Sequence, residues 1–75
     1  MDMVDVTIHI DESLAHDKIE NIRDSLLARN GVAAASFHDK TPHLIVVEYD
    51  PQAINSSSLL STVTSQGYHA ELVGL

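Results

Sequence analysis

The chain has 75 residues and no cysteine, so it has room for one small core and neither a disulfide nor a thiolate to support it. Its formal charge of -7 is set against only four basic residues, Lys18, Arg23, Arg29 and Lys40, scattered along the sequence, which leaves no footprint for a phosphate backbone and excludes nucleic acid as a partner. Apolar residues make up 44%, enough to fold, but no run nears the ~20 apolar residues of a membrane span, and Met1-Asp2-Met3-Val4-Asp5 lacks the basic start of a signal peptide. The expected compartment is the cytoplasm.

Val4, Val6, Ile8 and Ile10 alternate with Asp5, Thr7 and His9, the period of a strand with one buried face. Helical spacing follows over 13–30, with Ala15, Ile19, Ile22 and Leu26 on one stripe, Ser13 as the cap and Asn30-Gly31 as the stop. Residues 32–38 and 44–49 are short apolar runs around Asp39-Lys40-Thr41-Pro42-His43, which predicts a hairpin. Asp50-Pro51 closes the second run. Asn55 is placed to cap a helix with Leu59 and Val63 on its inner stripe, Ile54 stapled against Leu59, and an end near Gln66-Gly67. The last alternation sets Tyr68, Ala70 and Leu72 inward against His69, Glu71 and Val73 outward. The resulting βαββαβ order predicts an α+β, ferredoxin-like fold: one domain over 1–75, a four-stranded antiparallel sheet and both helices on one face.

Within that order, Ile22 and Leu26 precede Asn30-Gly31-Val32, followed by Val47-Glu48-Tyr49-Asp50-Pro51, then Leu59, Val63 and Gly67-Tyr68-His69-Ala70. This joint spacing resembles the heavy-metal-associated domain family, the fold of copper chaperones and of the amino-terminal modules of metal-transporting P-type ATPases, over most of the chain from Ile19 onward. The resemblance implies a Met-x-Cys-x-x-Cys metal motif between the first strand and first helix. Aligned on Ile22 and Gly31, its cysteines fall at Ala15 and Lys18 and its methionine at Ser13. An alanine and a cationic lysine supply no soft ligand, so the family's thiolate copper site is absent here.

Metal handling would then need harder ligands. The end of the first strand and the start of the fourth meet in this fold, so His9 and His69 are expected near one another on the open sheet face, with Asp11, Glu12, His16 and Asp17 in the adjoining loop. His9, His16 and His69 are accordingly the candidate metal ligands. Imidazole with carboxylate suits divalent zinc, nickel or cupric copper, held weakly at a surface. His38 and His43, with Asp39, form a second pair expected at the opposite end of the domain.

A different class of reading keeps the fold without the metal. Lys18 would put a fixed positive charge where the cation sits, facing Asp11 and Glu12 or an acidic partner. Leu44, Val46 and Val73 should point away from the helices, giving an apolar patch for another protein, a metal transporter or a second copy of the chain. Catalysis is not expected. Acyl-phosphate chemistry needs an anion cradle after the first strand, where this chain has Asp11-Glu12-Ser13-Leu14, and Ser13 with His16 lacks a third orienting group.

Overall fold

The computed structural model describes residues 2–73. The elements are β1 (Val4–Ile10), α1 (His16–Leu27), β2 (Val32–His38), β3 (Thr41–Tyr49), α2 (Ser56–Thr64) and β4 (Ala70–Val73). The sheet order is β2-β3-β1-β4, every neighbour antiparallel. The α+β ferredoxin-like arrangement read from the sequence is the one observed.

Alternation in the strands decides which face the helices cover. Val6, Ile8 and Ile10 of β1 and Ile45, Val47 and Tyr49 of β3 are buried, and Ile19, Ile22 and Leu26 of α1 and Leu59 and Val63 of α2 close over them. The pairings Val6↔Val47 and Ile8↔Ile45 put the inward residues opposite one another. Fully burying one such aliphatic side chain stabilises by roughly 1.5–3 kcal/mol. The opposite face keeps Val46 and Val73 exposed, as expected, flanking Thr7 across the register pairs Thr7↔Val46 and Thr7↔Val73.

Several boundaries move. Helix α1 starts and ends three residues inside the expected 13–30 span: its N-cap is Ala15, which has no side-chain bond, and its C-cap is Ala28. Ser13 is therefore not the cap, and Ala15 is exposed rather than on the buried stripe. The loop before α1 is held by the residue that precedes β4, because the Asp11 amide donates to the His69 carbonyl at 2.8 Å and the Glu12 carboxylate accepts from His69. Ala15, at φ -65° and ψ 156°, is still extended, so the helix begins only after it. At the hairpin the turn shrinks to Asp39-Lys40, and β3 begins at Thr41. Pro42 is tolerated because it lies beyond the last β1 pairing, His9↔Leu44, where a missing donor costs no bond to that neighbour.

The second helix follows expectation at its start, where the Ser58 amide donates to Asn55 Oδ1 at 2.8 Å. Strand β4 is shorter than the expected 68–73, and Leu72, expected inward, is 38% exposed. Leu72 does pair with Ile8, but it lies near the end of the edge strand β4, whose contact with the core is made by Ala70.

Candidate metal centre

Antiparallel pairing brings three segments to one end of the domain: the end of β1 with its loop, the β2–β3 hairpin, and the approach to β4. The pairs His9↔Leu44, Ile10↔Ala70 and His38↔Thr41 fix this directly. The hairpin histidines therefore lie at the same end as His9, not at the opposite one. A strand that pairs antiparallel with β1 must begin where β1 ends, so that expectation reversed the geometry.

His9 stands on the open face at this end. Its Nδ1 faces Asp11 Oδ1 at 3.2 Å and Glu71 Oε1 at 3.8 Å. Ligand atoms of all three residues lie within 4.8 Å of one another, and among the described residues this is the grouping of three or more such side chains. The residues reach it for local reasons: His9 and Glu71 are register partners on adjacent strands, and Asp11 is the first residue past β1. Tetrahedral ligand atoms at the usual zinc–nitrogen and zinc–oxygen distances sit ~3.3 Å apart. The two separations from His9 Nδ1 fall near that spacing. Three protein ligands on an exposed surface leave at least one position open to solvent.

The other two candidate ligands stand apart. His69 is paired with Glu12: its Nδ1–H donates to Glu12 Oε2 at 2.7 Å, and its amide donates to both carboxylate oxygens at 3.0 and 3.1 Å. That bond raises the His69 pKa above its ordinary value and lowers that of Glu12. His16 sits between Asp39, 3.2 Å from its Nδ1, and Glu20, 3.4 Å from its Nε2, edge-on to Phe37. The structure thus gives each of the three histidines its own carboxylate partners, and neither His16 nor His69 joins the grouping around His9. Lys18 makes no ion pair with Asp11 or Glu12 among the described residues; those carboxylates are engaged by His9 and His69.

The His69–Glu12 pair has a defined pH window. The raised imidazole pKa contributes stability that is complete below 6.5 and lost as pH rises through the shifted value. The lowered carboxylate pKa contributes stability that is complete above 4.5 and lost as pH falls through its shifted value. The pair is therefore at full strength between those limits. In the Glu12→Gln variant the His69 titration, followed by NMR of the ring protons, should fall back towards the ordinary imidazole value; an unmoved midpoint would show that the pair does not persist in solution.

Sequence reasoning missed two members of this end. Glu71 was read as one more outward residue of the last strand, and His43 was assigned to a hairpin pair with His38. His43 instead stacks on His9, ring centroids 5.8 Å apart and planes 17° from parallel, and its Nδ1–H donates to the Ile10 carbonyl at 2.7 Å. His38 is exposed. The signal for Glu71 was available in the register, since the residue opposite His9 on a neighbouring strand must share its face.

No family model matches the sequence, and no curated protein matches it. Solved structures do. The amino-terminal domain of a potential copper-translocating P-type ATPase from Bacillus subtilis, in its Cu(I)-loaded state, superposes with a TM-score of 0.85 at 25% identity, covering 96% of this chain and 89% of that one. Oxidized MerP from Ralstonia metallidurans gives 0.86 at 15% identity, over 97% of this chain and 100% of that one. A yeast copper transporter domain gives 0.82 at 18% identity, over 93% and 94%. The chain accordingly has the fold of the heavy-metal-associated domains, built here without a single cysteine.

Proposed function

We propose that this chain is a metal-handling domain that uses nitrogen and oxygen ligands in place of thiolates, taking a divalent ion such as zinc, nickel or cupric copper at His9, Asp11 and Glu71. The observation that carries the reading is the convergence of one imidazole and two carboxylates at ligand-to-ligand spacing. It lies at the same end of the domain as the β1–α1 loop, where the resemblance implies a metal motif. Imidazole and carboxylate bind divalent ions of intermediate softness, whereas a monovalent copper ion would find no sulfur here except methionine. An exposed three-ligand site gives up its ion readily, which suits transfer to a metal-transport partner better than storage. His16 and His69 flank this site, each held by carboxylates of its own, Glu20 and Asp39 for His16 and Glu12 for His69.

The test is a titration of the metal-free domain with zinc, nickel and cupric copper near neutral pH, followed by proton–nitrogen NMR. Saturable changes centred on His9, Asp11 and Glu71 are the expected result. No response at millimolar metal would overturn the reading and leave the exposed Val46–Thr7–Val73 face as the functional surface, in a protein-docking or self-associating role.

A further inference from the structure

His43 touches His9 but lies outside the grouping of ligand atoms, and its two contacts give it a separate task. A backbone carbonyl only accepts, so the bond at 2.7 Å to the Ile10 carbonyl places the His43 proton on Nδ1 and fixes the ring against the end of β1. The fixed ring then lies nearly parallel to His9, 17° apart, which restricts the plane the His9 imidazole can take. Within that plane the ring has two flips. Only one turns Nδ1 towards Asp11 and Glu71; the other presents a carbon to the carboxylates.

We infer that His43 is a positioning residue for the metal centre: it holds the plane of His9 while Asp11 selects the flip, so that the ion is taken by His9 Nδ1 rather than Nε2. The inference rests on the metal reading above and adds the nitrogen used and the residue that enforces it. Most surface imidazoles rotate freely and offer either nitrogen. Here a second histidine, anchored to the backbone of the same strand, removes the rotation before any ion arrives, and that preorganisation is worth affinity because less freedom is lost on binding. Partners that orient a ligating histidine typically contribute 10–100-fold to metal affinity. His43 acts by stacking rather than by a direct bond, so the lower end of that range is expected.

Nitrogen-15 NMR of the imidazoles tests this in the full domain, with zinc as the probe. In the metal-free protein His9 should carry its proton on Nδ1; zinc should replace that proton while Nε2 takes one up from water, so Nδ1 takes the metal-bound shift and Nε2 becomes the protonated nitrogen. The His43→Ala variant should show His9 as a mixture of tautomers without metal and bind zinc ~10-fold more weakly. The His43→Phe variant, which keeps a flat face for stacking, should recover most of that loss. A metal-bound signature on His9 Nε2, a metal-bound signature on His43 itself, or unchanged tautomer and affinity in His43→Ala would each overturn the assignment. The tautomer comparison needs no metal, so it separates a failure of the positioning role from a failure of the metal reading, which would show as no zinc response in the unsubstituted domain.

Discussion

His9→Ala is expected to abolish measurable zinc or nickel binding, a loss of more than ~100-fold, because removing a ligand costs more than removing one of its supporting partners. His9 supplies the single nitrogen of the grouping, and without it two exposed carboxylates remain with no imidazole to discriminate a transition ion from calcium or magnesium. The fold should survive. His9 faces away from the core on the open side of the sheet, 37% exposed, so the substitution forfeits its exposed contacts with Asp11, Glu71 and His43 and should change stability by less than about 1 kcal/mol. Isothermal calorimetry with parallel thermal melts separates the two quantities. Retained affinity with intact folding would remove His9 from the site and the metal reading with it.

Gly31→Ala is the substitution expected to do most damage to the fold. Gly31 joins α1 to β2 at φ 98°, a conformation that an L side chain adopts at a cost of roughly 1–3 kcal/mol. Its position is fixed from both sides, since the Asp50 amide donates to the Gly31 carbonyl at 2.8 Å while Ala53 and Ile54 pack against it. A Cβ added there would lie 2.8 Å from Ala53 Cβ and 3.0 Å from Ile54 Cγ2, closer than atoms tolerate, and the connection would have to shift. Overpacking of that kind adds about 1–3 kcal/mol. Against a total of roughly 4–11 kcal/mol for a domain of this size at the usual per-residue stability, the sum should lower the melting temperature by more than ~10 °C. Gly67 is the internal control. It has the same φ of 98°, but a Cβ there meets nothing within 4 Å, so Gly67→Ala should show the conformational cost alone. Equal losses at the two positions would mean that the contact with Ala53 and Ile54 contributes nothing.

Both predictions bear on how much of this protein its sequence exposes. Alternation in Val4–Ile10 and in Ile45–Tyr49, the stripe Ile19–Ile22–Leu26 and the cap at Asn55 are local signals. Each depends on residues a few positions apart, and each leads to the observed element. Element order then leaves few topologies, because parallel crossovers take one hand and short hairpins pair antiparallel. The fold was therefore legible without any relative.

The site was legible only in part, and the reason is register. His9 was found because the alternation of the first strand puts it on the exposed side, at the end that meets the start of the last strand. Its partners lie at different sequence distances: Asp11 two residues away, His43 across the β1–β3 ladder, Glu71 across the β1–β4 ladder. Nothing local distinguishes Glu71 from Glu48, another outward carboxylate on a neighbouring strand. The pairing of Glu12 with His69 was hidden for the same reason, since the two lie far apart along the chain.

By itself the sequence determined the strands, the helices, the buried faces and the absence of thiolate chemistry, because periodicity and composition act over a few residues or none. Only the tertiary structure decided which imidazole meets which carboxylate. Those meetings depend on how four strands align, and a one-residue difference in the β1–β4 register would move Glu71 to the other face of the sheet from His9.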